Sequence, residues 1–230
     1  MLIEKTKFIS KTTITENTYL IKVLSPSIAR TARPGQFCNI KVSENSFPLL
    51  KRPFSICDVD GEFIYFMFDI HGEGTRLLRE KNEGEGLDIL GPLGVGFNLK
   101  GDYDTAIIIA GGLGCAPFPF LTKNIPANME IHSFVGGRSK ENVIEYKMKN
   151  VSVATDDGSY GFHGNVVELF KSRNDEFAAR KIKVFACGPN PMLKALQNFC
   201  NEKNIECQLS VETVMACGFG ICQGCPIEKY

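Results

Sequence analysis

The chain has 230 residues, 43% hydrophobic and 23% charged, with 26 basic side chains balanced by 26 acidic ones. That length suits one large or two modest domains, and the charge balance argues against an extended electrostatic nucleic-acid surface. No segment reaches the ~20 apolar residues a membrane helix needs, and the opening MLIEKTKFISKTT has no long apolar run, so the expectation is a cytoplasmic chain with neither nucleic-acid nor membrane partners.

In chain order, the first hundred residues alternate β-like runs with turn signals. TYLIKVLS (18–25), QFCNIKV (36–42), FIYFMFDI (63–70) and LDILGP (87–92) are rich in β-branched and aromatic residues, and RPG, DVDGE and EGEG separate them. The pattern predicts an antiparallel barrel or sandwich over residues 1–100. Within it, KRPFSI (51–56) joins a cation to a rigid turn and a hydroxyl, and HGEGTRLL (71–78) sets two glycines and a threonine before an apolar helix. Arg52 suits a bidentate grip on a diphosphate. Gly72, Gly74 and Thr75 suit phosphate binding through backbone N–H groups at a helix start. The same residues also read as a solvated arginine and a capped helix.

After KGDYD (100–104) the texture becomes β/α. TAIIIA (105–110), IHSFVGG (131–137), VSVAT (151–155), KVFACG (183–188) and CQLSVE (207–212) are short apolar strands, with helices expected between them at ENVIEYKMKN (141–150) and NPMLKALQNFCNEKN (190–204). The alternation predicts a parallel sheet covered by helices on both faces over residues 101–211. IIIAGGLGCAP (107–117) places Gly111, Gly112 and Gly114 after a buried strand, with Pro117 opening a helix. Its spacing departs from G-x-G-x-x-G, so phosphate binding and a tight strand-to-helix turn both stay open. FACGPNPM (185–192) repeats the design. Two such loops at strand C-termini should flank one crevice.

The tail, residues 212–230, carries ACGFGICQGC (216–225), with Cys217, Cys222 and Cys225 at C-x4-C-x2-C. This is the spacing of plant-type 2Fe–2S sites, with zinc as the rival occupant. The interleaved glycines let backbone N–H groups turn toward the sulfurs. Cys38, Cys57, Cys115, Cys200 and Cys207 read as small buried hydrophobes, so the nine cysteines are reduced thiols or metal ligands rather than a disulfide framework. His71, His132 and His163 are scattered, and no Ser/His/Asp or metallohydrolase motif is present.

RPFS, GEGT, GPLGVGF, AGGLGCAP, TDDGSYG and ACGPNPMLKAL, in this order, resemble the ferredoxin–NADP reductase superfamily. With VETVMACGFGICQGC added, the chain is similar to the electron-transfer subunits of B-type dihydroorotate dehydrogenases. The resemblance implies a β plus α/β architecture: an FAD-binding antiparallel β-barrel, an NAD-binding parallel-sheet domain and a small C-terminal 2Fe–2S element. It implies a partner, an FMN-containing dihydroorotate dehydrogenase catalytic subunit joined in a heterotetramer, from which electrons pass through the cluster and FAD to NAD+ in pyrimidine biosynthesis. The alternative is a subunit of another NAD(P)H-linked flavin and iron–sulfur reductase, of the ferredoxin–NADP oxidoreductase or sulfhydrogenase gamma type.

Carried onto this sequence, the resemblance puts Arg52 on the FAD diphosphate. Within the same motif, after Pro53, it puts Phe54 against the flavin and Ser55 near the isoalloxazine. It gives the FAD pyrophosphate to Gly72, Gly74 and Thr75, with His71 the histidine nearest a cofactor. Gly112, Gly114 and Pro117 shape the nucleotide loop, and Cys187, Gly188 and Pro189 lie near the nicotinamide. Cys217, Cys222 and Cys225 are the cluster ligands. Asp156, Asp157 and Gly158 match TDDGS and also read as an ordinary turn. NAD is expected over NADP, although Arg138 is a candidate contact for a 2′-phosphate. No catalytic acid or base is expected, because hydride and electron transfer belong to the cofactors. The family's fourth cluster cysteine lies downstream of the third, beyond Tyr230. The chain as given is therefore expected to be truncated or incomplete at its tail, with a cluster easily lost and residues after about Glu212 poorly ordered without metal.

Overall fold

The structure, a computed structural model, describes residues 1–43, 45 and 47–225. The chain divides into two compact units, one of Met1–Thr13, Asn17–Gly96 and the tail from Thr213, the other of Ile14–Glu16 and Phe97–Glu212.

The first unit is built from β1 (Leu2–Thr13), β2 (Thr18–Leu24), the short helix α1 (Pro26–Ala29), β3 (Phe37–Lys41), β4 (Arg52–Asp60), β5 (Phe63–Asp69), α2 (Glu73–Glu80) and β6 (Gly86–Leu93). Its strands close into an antiparallel barrel in the order β1-β2-β5-β4-β3-β6. Period-two alternation explains the closure. Ile64, Phe66 and Phe68 on β5 turn inward to meet Ile21 and Val23, Ile40, Phe54 and Ile56, and Ile89, all buried. Each such side chain contributes roughly 1.5–3 kcal/mol of burial.

Two of these strands were not expected. β1 buries only Thr6 and Phe8, so its exposed face reads as a polar leader. β4 begins at Arg52-Pro53, which read as a turn. Pro53 is tolerated because it is exposed and lies one residue into the strand.

The second unit contains β7 (Thr105–Gly111), α3 (Phe118–Asn124), β8 (Glu130–Gly137), β9 (Val151–Thr155), β10 (Phe162–His163), α4 (Val166–Arg173), β11 (Ile182–Cys187), α5 (Asn190–Lys203) and β12 (Glu206–Ser210). Its six strands are parallel in the order β10-β9-β8-β7-β11-β12. Ile107, Ile109, Val184 and Ala186 pack against Val166, Val167 and Phe170 of α4 and Leu193, Leu196 and Phe199 of α5. The alternate residue Phe185 faces the other way, where Phe97 bridges it to Phe118 of α3 at ring separations of 5.5 and 6.1 Å. Helices therefore cover both faces, as expected.

The helix expected over 141–150 is absent. A single 3-10 turn spans Lys140–Asn142. The chain then reverses through left-handed residues at Lys147 (φ 53°) and Asn150 (φ 47°), and the Asn150 Nδ2 donates to the Ile131 carbonyl at 2.8 Å. Among the described residues, no helix is long and apolar enough to cross a membrane.

Candidate functional site

In the barrel unit, β4 and α2 bring Arg52 and Gly74 together. Arg52 opens β4, and its Nη1 donates to the Leu50 carbonyl at 2.6 Å. A Cβ built on Gly74 would stand 2.6 Å from Arg52 Nε. Glycine at this position is what allows the guanidinium to lie against the first turn of α2. The N–H groups of that turn have no partner within the helix. A cation beside them makes a positive corner suited to a diphosphate.

Thr75 organises this corner from within. Its hydroxyl accepts from the backbone N–H groups of His71 (2.9 Å) and Gly72 (3.3 Å) and donates to the Gly72 carbonyl (3.1 Å). The neighbouring carboxylate of Glu73 is drawn away by Arg76, at 2.6 Å. His71 and Gly72 are exposed. Phe54 is buried, with ring centroids 5.7 Å from Phe68 and 6.4 Å from Phe66, so its ring belongs to the barrel interior. Pro53 and Ser55 occupy the alternate, outward positions of β4, Pro53 exposed and Ser55 half-buried.

In the second unit, the strand order reverses between β7 and β11, and both glycine loops leave the carboxyl ends of these two strands. Ligands of open α/β sheets bind at such a switch point. Gly112 (φ 54°) starts a 3-10 turn, and the chain enters α3 through Pro117. Gly188 (φ 156°) and Pro189 lead into α5. The loops touch. A Cβ on Gly114 would collide with the Cys187 carbonyl and stand 2.8 Å from Gly188 Cα, and one on Gly111 would stand 2.9 Å from Pro189 Cδ. The glycines thus serve close loop-to-loop packing, and they border the crevice at the switch point.

The Cys187 thiol is buried at that border. Burial pushes it up to about 12, with the Glu212 carboxylate adding to the effect and hydrogen bonds from Ser210 and the Gly188 backbone opposing it. It is a neutral thiol rather than a nucleophile. Glu212 reaches solvent, yet the protein crowded around it raises its carboxyl above the ordinary value. Sequence reasoning missed Ser210 and Glu212. Their signal was topological: β12 pairs with β11 and sets Ser210 opposite Cys187.

Asp156, Asp157 and Gly158 form a turn. Asp157 Oδ1 accepts from the Ser159 backbone N–H (2.9 Å) and hydroxyl (2.6 Å), which hold its carboxyl below the usual range. Gly158 is left-handed at φ 71°. Arg138 is exposed beyond β8. His132 stacks edge-on to Phe177 at 5.1 Å, and His163 lies on β10.

Residues 211–225 of the tail form neither helix nor strand. The Cys217 sulfur accepts from the backbone N–H of Cys222, from that of Phe219, from the Cys222 side chain and from the backbone N–H of Ile221, and these bonds bring it down to about 6. Cys222 is exposed and Cys225 half-buried. Among the described residues, no three His, Cys, Asp or Glu side chains stand close enough together to hold a metal. The donor chemistry nevertheless fits a soft-metal or iron–sulfur centre: one sulfur ringed by N–H groups, a second thiol hydrogen-bonded to it and a third three residues on. The expectation of disorder after Glu212 extends to residues 226–230, which lie outside the described residues. Cys38, Cys57, Cys115 and Cys200 are buried as expected; Cys207 is half-buried and hydrogen-bonded to Cys200.

Solved structures with this architecture define the class: it is the ferredoxin–NADP reductase fold. The chain matches the structure of an NADH-dependent reduced ferredoxin-NADP oxidoreductase with a TM-score of 0.76 and 24% identity, over 96% of this chain and 80% of that one. It matches a ferredoxin NADP+ reductase from Neisseria gonorrhoeae, solved with bound FAD and NADP, with a TM-score of 0.71 and 15% identity, over 91% and 99%. No family model matches the chain. Sequence relatives are more specific. The dihydroorotate dehydrogenase B (NAD(+)) electron transfer subunit of Desulforamulus reducens is 34% identical over 94% of this chain and 84% of its own length. The corresponding subunit of Geobacillus thermodenitrificans is 36% identical over 96% and 88%. The chain belongs to the family of dihydroorotate dehydrogenase B (NAD(+)) electron transfer subunits.

Proposed function

We propose that this chain carries electrons in a cytoplasmic dihydroorotate dehydrogenase complex of pyrimidine biosynthesis, joined in a heterotetramer to an FMN-containing catalytic subunit that oxidises dihydroorotate. The observation that carries the reading is the placement of the cysteine tail in the same compact unit as the barrel, where Arg52 lies against the start of α2. Residues 1–100 take the FAD role, 101–211 the NAD role and 212–230 the cluster role.

Arg52 and the turn Gly72–Thr75 hold the FAD diphosphate, and Ser55 on the open face of β4 meets the isoalloxazine. The loops at Gly112, Gly114 and Pro117 and at Cys187, Gly188 and Pro189 shape the NAD crevice. Cys217, Cys222 and Cys225 hold a 2Fe–2S cluster. Bound FAD supplies the interconversion of a hydride pair with single electrons. The protein's residues have the remaining tasks of orientation and exclusion. The neutral Cys187 thiol gives the crevice an uncharged wall, and no side chain is required as acid or base. Val214 (90% exposed), Phe219 (45%) and Ile221 (76%) surround the cysteines with apolar surface, which supports a partner at the tail.

Purification of the chain from its host with whatever accompanies it tests the proposal. An FMN dehydrogenase is expected, together with flavin, iron and sulfide, and dihydroorotate-dependent NAD+ reduction only when both subunits are present. A hydrogenase or glutamate-synthase-like partner, or dihydroorotate oxidation by this chain alone, would overturn it.

A further inference from the structure

Strand β3 buries Cys38, Asn39 and Ile40 in succession. By strand alternation Cys38 and Ile40 face the barrel interior, so Asn39 faces outward. It is nonetheless only 1% exposed, because the tail lies on it. Its Nδ2 donates to the Cys217 carbonyl at 3.1 Å. Gly218, left-handed at φ 76°, brings its backbone so close that an added Cβ would collide with the same amide and stand 3.3 Å from Leu93 Cδ1. The other half of the amide, Oδ1, is buried with no hydrogen-bond partner. A buried amide with an unused acceptor is unfavourable, and an apolar side chain would cover the strand without that cost. The asparagine is accounted for by what its Nδ2 holds.

The position of this contact matters. Across the β3–β4 ladder, Asn39 is paired with Pro53 and Phe37 with Ser55. Paired residues share a face. The Cys217 loop is therefore fastened one strand away from the outward face that bears Ser55. Rates of electron transfer fall steeply with distance, and a segment without helix or strand needs a fixed point to hold a distance.

We infer that Asn39 is a positioning residue: its side-chain amide latches the cysteine loop to the outer face of β3 and so sets the separation between the sulfur ligands and the flavin strand. The inference rests on the assignment of Cys217, Cys222 and Cys225 to a cluster and of Ser55 to the flavin.

The test uses Asn39→Leu, which removes the donor, and the isosteric Asn39→Asp, which presents an acceptor to the Cys217 carbonyl. In the full chain stripped of metal, amide hydrogen exchange over residues 216–222 is expected to quicken by about five- to tenfold, the equilibrium worth of one neutral hydrogen bond. Exchange in β3 and β6 is expected to stay at the wild-type rate. In the complex with its partner, FAD content is expected to be unchanged, while the paramagnetic resonance of the reduced cluster shifts and cluster-to-FAD electron transfer slows. Exchange at 216–222 unchanged in both variants would overturn the latch, as would acceleration shared equally by β3 and β6. An unaltered cluster spectrum and transfer rate would overturn its role in positioning. A wild-type complex without iron and sulfide would instead overturn the cluster assignment, and the exchange measurement would still decide the latch.

Discussion

Gly74 and Gly114 stand at comparable places in the two units, each inside a helical turn that follows a strand. Their surroundings differ. A methyl group on Gly74 would meet the guanidinium end of Arg52, 2.6 Å away at Nε and 3.1 Å at Cγ and Cζ. A methyl group on Gly114 would meet backbone, the carbonyl of Cys187 and the Cα of Gly188. The first neighbour can swing aside and the second cannot. Two motifs that look alike in sequence thus use glycine for different purposes. One makes room for a cation against a helix start, and the other joins two loops into one body.

Substitution should separate the two. Gly114→Ala is expected to have the largest effect, a loss of about 3 kcal/mol or more in a denaturant melt, because overpacking against backbone finds no relief. A near-wild-type melt would show that the loops can part. Arg52→Ala comes next. It should weaken FAD retention by about 1.5–3 kcal/mol, the worth of a charge-assisted hydrogen bond, with little change in the melt of the flavin-free chain. Unaltered flavin content would remove Arg52 from the site. Gly74→Ala should change stability by less than about 1 kcal/mol, since alanine favours helix and the arginine can move. It should still loosen FAD by displacing the guanidinium, which equilibrium titration with FAD would detect.

The smallest effect concerns Cys187, raised from 9.0 to about 12. At pH 8 the thiol is overwhelmingly protonated, and the thiolate is the reactive form. Mass mapping after iodoacetamide should find Cys222 modified and Cys187 intact. The fold favours the protonated thiol, so its contribution to stability is constant below about pH 9 and declines as pH rises toward 12. Rapid labelling of Cys187 at pH 8 would contradict the buried placement.

Much of this architecture was legible in the sequence, and the exceptions have physical causes. The strands at 105–110, 131–137 and 183–188 were readable because parallel strands buried on both faces are uninterrupted apolar runs. β1 was not, because its inward residues are few and its outward face is charged. β4 was concealed by Pro53, whose exposure early in the strand only the tertiary structure supplies. Residues 141–150 have helix-forming composition but are turned by two left-handed residues and by the bond from Asn150 to β8. Arg52 and Gly74 could be singled out separately, whereas their contact could not be read, because they lie 22 positions apart on different elements. Asn39 and Glu212 were silent for the same reason. Their significance lies in what the strand order sets beside them.

The packing of the 111–117 loop on the 187–192 loop also bears on entropy. Backbone wedged against backbone loses its conformational freedom when the unit folds, not when a nucleotide arrives. A ligand entering the crevice between β7 and β11 therefore meets walls already in place, and little of its interaction energy is diverted to ordering them. The cysteine loop meets the barrel differently, through a side-chain amide on the Cys217 carbonyl and the close approach of the Gly218 backbone.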